Sequence, residues 1–94
     1  MCKIIELYRH AELISVEKIS DKNYRDWRWR ECFLYLEGQL YILESKDIRK
    51  GERFIYFNLR DGYLRTNFGT YIIEDNIITM TTKNSIYKFK IYCQ

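Results

Sequence analysis

The sequence predicts a mainly β domain, an antiparallel up-and-down meander of six or seven short strands with one N-terminal helix. The sheet is expected to be strongly curved or to close into a partial barrel. Three observations carry this reading. Thirteen isoleucines stand against one alanine and one valine, beside nine tyrosines and five phenylalanines, a composition suited to pleated, half-buried surfaces. From Trp27 onward apolar residues recur every second position in short runs bounded by turn residues. The connections between these runs are shorter than the dozen or more residues that a parallel crossover needs, so sequential strands must be antiparallel neighbours.

The elements follow in order. Ile4, Leu7, Tyr8, Ala11 and Ile14 have the spacing of an amphipathic helix, with Glu6, Arg9, His10 and Glu12 toward solvent, so a helix is expected over about residues 3–14. Residues 20–26, SDKNYRD, read as a polar loop. Strands are expected at Trp27–Leu36, Gln39–Glu44, Arg53–Leu59, Tyr63–Thr66, Thr70–Glu74, Ile77–Thr82 and Ser85–Tyr92. Glu37-Gly38, the charged segment Ser45–Glu52, Arg60-Asp61-Gly62, Asn67-Phe68-Gly69, Asp75-Asn76 and Lys83-Asn84 separate them. Asp61-Gly62 is the strongest turn signal, because glycine supplies the positive φ of a two-residue type I′ hairpin. Asp75-Asn76 and Lys83-Asn84 are weaker versions of it.

Alternation sets the faces. Ile55, Phe57 and Leu59 oppose Phe54 and Tyr56; Tyr87, Phe89 and Ile91 oppose Lys88 and Lys90; Ile78 and Met80 share a side. In the run DWRWRE, Trp27, Trp29, Phe33 and Tyr35 share one parity, and Arg28, Arg30, Cys32, Leu34 and Leu36 the other. A bulge near Glu31-Cys32 would turn the tryptophans inward at one end of the strand and Leu34 and Leu36 inward at the other. The alternatives are an exposed stacking platform or a partner interface.

The C-terminal half carries a resemblance. Phe57-Asn58-Leu59-Arg60-Asp61-Gly62, Gly69-Thr70-Tyr71 and Asn76-Ile77-Ile78-Thr79-Met80-Thr81 resemble the hairpin succession of small lipocalin-like domains. The resemblance implies a barrel-like sheet with an interior site and no particular ligand. The chain departs from that pattern in its shortness and in placing Trp27 and Trp29 where a glycine-tryptophan strand would open.

Composition and charge limit the chemistry. The 94 residues suit one domain. Residues 1–47 carry eight Lys/Arg and nine Asp/Glu, hence −1, and residues 48–94 carry eight and four, hence +4, which together give the net +3. That asymmetry is mild for a nucleic-acid binder. Cys2, Cys32 and Cys93 show neither metal-ligand spacing nor a disulfide framework; Cys32 reads as a small buried hydrophobe on a strand. His10, the sole histidine, reads as a surface residue. No carboxylate pair, phosphate loop or dinucleotide fingerprint is present. No cofactor or metal is therefore expected. The N-terminus lacks the apolar core of a signal peptide, and no run is long enough to cross a bilayer, so a cytoplasmic setting without membrane contact is expected.

What remains is a non-catalytic binding protein, engaging a protein partner as a small inhibitor or accessory factor, with phage or mobile-element origin and homodimer formation as further expectations. A single-stranded nucleic-acid module is the first alternative and an apolar small-ligand binder of lipocalin-like type the second. The enzymatic alternative is a histidine-independent ribonuclease. Candidate binding residues are Trp27, Arg28, Trp29, Arg30, Tyr63, Arg65, Lys88 and Lys90, aromatic and basic side chains of the kind that stack bases or anchor interfaces.

Overall fold

A computed structural model describes residues 2–19, 32–45 and 52–92. Seven strands form one antiparallel sheet: β1 (Cys2–Lys18), β2 (Glu37–Ser45), β3 (Arg53–Leu59), β4 (Gly62–Arg65), β5 (Gly69–Glu74), β6 (Ile77–Thr82) and β7 (Ser85–Ile91). The order is β2-β1-β7-β6-β5-β3-β4, and β2 also pairs with β3, so the sheet returns on itself as a ring. β4 and β5 share one edge of β3, at Tyr56–Arg65 and Arg53–Gly69, so β5 neighbours β3 rather than β4 and the expected strand-by-strand meander is broken there. Thr66 joins them. Its N–H donates to the Ile55 carbonyl, and its Oγ1 accepts from the Ile55 N–H, each at 2.9 Å.

The expected N-terminal helix is absent: residues 3–14 belong to β1. No helix occurs among the described residues, and so none long and apolar enough to cross a membrane. The misleading spacing has a physical origin. β1 changes register between Ile4 and Glu6, between Tyr8 and Ala11, and between Leu13 and Ser15. Each bulge adds a residue to the strand and resets which side faces inward. The residues packed on the core are consequently Ile5, Tyr8, Ala11, Leu13 and Val16, mostly three positions apart. That interval lies between the period of a flat strand and that of a helix. Ile4 and Leu7, expected on the buried face of a helix, are 54% and 45% exposed.

The expected strand at Trp27–Leu36 is also corrected over its described part. Cys32–Tyr35 form a turn, with no strand for a bulge at Cys32 to interrupt, and Cys32 is exposed rather than buried. Residues 20–31 and 46–51, with the polar loop and most of the charged segment, lie outside the described residues, as does Cys93. Tyr35 takes a left-handed backbone (φ 68°), and its N–H donates to the Leu13 carbonyl at 2.7 Å. Glu37-Gly38, expected as a turn, opens β2 instead.

The remaining strands stand close to their expected bounds, with β3 and β6 as read. The hairpin turns do not rank as expected. Leu59 pairs with Gly62 around Arg60-Asp61, and no left-handed residue is used there. The pair with positive φ is Asp75 (51°) and Asn76 (64°), the conformations of a type I′ turn.

Inward positions make one core: Leu40 and Ile42 of β2, Ile55 and Phe57 of β3, Leu64 of β4, Ile78 and Met80 of β6, and Tyr87, Phe89 and Ile91 of β7. Phe57 and Phe89 meet edge to face at 5.2 Å across the interior. Side chains therefore fill the ring, as expected where few strands close on themselves.

Two glycines hold strands in close approach. A Cβ on Gly69 would lie 2.0 Å from the Thr81 carbonyl oxygen, and one on Gly38 2.2 Å from that of Asn58. Both obstacles are backbone, which cannot rotate away. Gly69→Ala and Gly38→Ala are therefore each expected to cost about 1–3 kcal/mol in urea unfolding. Gly62→Ala, where nothing lies within 4 Å, is expected to stay within about 0.5 kcal/mol of the parent or to exceed it.

Candidate functional site

The outer face of β1–β4 is built by register. Leu7 pairs with Tyr41, Tyr41 with Tyr56, and Tyr56 with Arg65, which makes one row across four strands. A second row runs from Ile4 through Leu43 to Phe54. Side chains directly opposite on one face lie within packing distance, so these rows are the natural contacts of the sheet. Tyr41 and Tyr56 meet edge to face at 6.2 Å, and Tyr56 stacks on Tyr63 at 5.0 Å with an interplanar angle of 10°. Arg65 lies over the Phe54 ring at 4.5 Å, and Phe54 packs against Phe68 at 5.2 Å. A shallow depression of about 230 Å³ is lined by Ile4, Tyr41, Leu43, Tyr56 and Asn58. None of the outward positions Gln39, Tyr41, Leu43, Phe54, Tyr56 and Asn58 carries a charge.

Of the residues singled out from sequence, Tyr63 and Arg65 belong to this face. Lys88 and Lys90 are exposed on β7, which β6, β5 and β3 separate from β4 in the sheet order. The structure thus does not gather the four into one groove. Trp27, Arg28, Trp29 and Arg30 lie outside the described residues. Sequence reasoning missed Leu7, Tyr41 and Tyr56. Their outward parity was readable for Tyr56, but the alignment of the row depends on how β1, β2 and β3 slide past one another.

Two polar clusters join titratable groups from several strands. Glu6 accepts the Tyr8 hydroxyl on Oε1 and the Tyr71 hydroxyl on Oε2, both at 2.5 Å. Arg53 pairs with Glu44 at 3.3 Å and lies over the Tyr71 ring at 5.7 Å. On the outer side, His10 is exposed as expected, bonds Glu37 through Nε2 and stacks on Tyr92 at 4.4 Å. Tyr92 donates to Glu12, and Lys90 lies 5.3 Å from its ring centre. Among the described residues no group of three or more His, Cys, Asp or Glu side chains is placed to hold a metal ion.

No family model, curated protein or solved structure matches the chain. The functional reading therefore rests on the residues and their geometry.

The tyrosine clusters set an alkaline limit on stability. Burial, followed by the hydrogen bond to Glu6, raises the Tyr8 and Tyr71 hydroxyls above the ordinary tyrosine value of 10.0. The hydrogen bond to Glu12, followed by burial, pushes Tyr92 up to about 12. These hydroxyls hold their protons to higher pH when folded than when unfolded. Their contribution is complete below pH 10 and is lost as pH rises through the folded values. Urea midpoints are expected to be insensitive to these groups below pH 10 and to fall above it. Glu6→Ala should lower the neutral-pH stability by about 1 kcal/mol and flatten the alkaline fall.

Proposed function

We propose that this is a non-catalytic binding protein that engages a protein partner, as a small inhibitor or accessory factor, through the outer face of β1–β4. The observation that carries the reading is the cross-strand row Leu7–Tyr41–Tyr56–Arg65, flanked by Tyr63 and Ile4. Centres of protein interfaces are depleted of charge and enriched in tyrosine and arginine, and this face has that make-up. Tyr63 is 55% exposed although its ring stacks on Tyr56, so a broad aromatic surface faces solvent. A surface that bound nucleic acid through phosphates would need several cations in one place. Arg65 is the single cation in the row, and Lys88 and Lys90 stand elsewhere in the ring.

The test is affinity capture from the native host with the parent chain and with Tyr56→Ala and Arg65→Ala, followed by titration of the captured protein. Each substitution is expected to cost about 2 kcal/mol of affinity, roughly a thirtyfold loss. Lys88→Ala on β7, outside the row, is expected to change little. Single-stranded oligonucleotides are expected not to bind. Oligonucleotide affinity that falls linearly with the logarithm of salt concentration, and weakens with Lys88→Ala and Lys90→Ala, would replace the protein-partner reading with the nucleic-acid one.

A further inference from the structure

The mouth of the ring at the β3–β4 turn holds a cleft of about 460 Å³. It lies between this turn and the segment 32–36, which backbone hydrogen bonds fasten to β1: Tyr35 N–H to the Leu13 carbonyl at 2.7 Å and Leu13 N–H to the Leu36 carbonyl at 3.3 Å. Phe33 and Leu59 form the floor, where both pack on the core, and Leu36 and Tyr63 form the sides. Leu36 is 44% exposed and Tyr63 55%, so apolar surface remains open to water at the cleft. The volume falls within the roughly 300–1,000 Å³ range of small-molecule sites, and mouths of closed sheets are a common place for them.

Gly62, an exposed residue of the cleft lining, helps keep this space open. Gly38 and Gly69 are glycines because a neighbouring backbone crowds them, whereas Gly62 has nothing within 4 Å and no left-handed backbone. It alternates with outward Tyr63 and shares the inward side of β4 with buried Leu64. Any side chain at 62 would therefore project into the cleft, and glycine leaves it open.

The rim sets the kind of ligand. Glu37, which is hydrogen-bonded to His10, and Asp61 contribute two carboxylates, and Arg60 contributes one positive charge. Phe33 and Tyr63 also line the cleft, with one face of the Tyr63 ring stacked on Tyr56, and aromatic faces attract cations. We propose that the cleft binds a small organic cation, with an apolar body seated on Phe33, Leu36, Leu59 and Tyr63 and an ammonium group at the Glu37–Asp61 rim. This site shares Tyr63 with the outer face proposed for a protein partner, but its other lining residues lie outside that row, and the proposal does not rest on the partner reading.

A matched series of phenylbutylammonium, phenylbutanol and phenylbutyrate, titrated by calorimetry and by NMR shifts of the protein, tests the proposal. The ammonium compound is expected to bind most tightly, the alcohol several-fold less and the carboxylate least, with shifts confined to the cleft. Gly62→Phe fills the space and is expected to weaken the ammonium compound at least tenfold, with its strand circular-dichroism spectrum unchanged. Asp61→Asn, at an exposed turn position, is expected to reduce the preference for the ammonium compound over the alcohol while leaving alcohol binding intact. Absence of binding by all three compounds would overturn the site. So would a folded Gly62→Phe chain that binds as the parent does. Tightest binding by the carboxylate, or an Asp61→Asn chain with undiminished ammonium preference, would overturn the assigned ligand charge.

Discussion

β1 pairs with β2 from Cys2 to Glu12 and with β7 from Ala11 to Lys18, so Ala11 and Glu12 carry both pairings. This double pairing joins the start of the meander to its end. A straight strand could not follow two partners that diverge. The three register shifts in β1 supply the bending and added twist that bulges bring. Ala11 stands at the crossing, fully buried, with Gly38 on one side and Ile91 on the other. The smallest side chains of the seam lie where three strands converge, a close-packing requirement like that of any protein interior.

With the seam in place, the ring has two different ends. At the Glu44–Arg53 end of the β2–β3 pair, Glu6 ties Tyr8 of β1 to Tyr71 of β5, while Arg53 bridges toward Glu44 and the Tyr71 ring. The carboxylates and hydroxyls satisfy one another there, while Arg53 Nε is buried without a hydrogen-bond partner among the described residues. At the opposite end, Leu59, Gly62 and the segment 32–36 surround open space. The interior between them is filled by aromatic and branched side chains. Room for a small molecule therefore exists at the mouth. The outer face is a separate property, produced by the alignment of β1 to β4.

Much of the C-terminal architecture was legible. Alternation in Phe54–Leu59, Ile77–Thr82 and Ser85–Ile91 marks strands and their buried sides, because each has one dry and one wet face. The N-terminal segment was not legible, since bulges imitate helical spacing and nothing local announces a bulge. The preference for Asp61-Gly62 as a type I′ turn failed for a related reason. Glycine permits positive φ but does not compel it, and the register at Leu59–Gly62 leaves Gly62 in the strand. His10 was readable as exposed, but not as the partner of Glu37 twenty-seven positions away.

Sequence by itself determined the mainly β antiparallel class, the β3–β4, β5–β6 and β6–β7 hairpins and the alternating faces of β3, β6 and β7. Each follows from side-chain period and connection length, which are local quantities. Only the tertiary structure decided that residues 2–18 are a bent strand, that this strand closes the ring, and that Leu7, Tyr41, Tyr56 and Arg65 stand in one row. Those outcomes depend on the register between segments far apart in the chain. Register is fixed by burying a whole face at once, so no single stretch of sequence contains it.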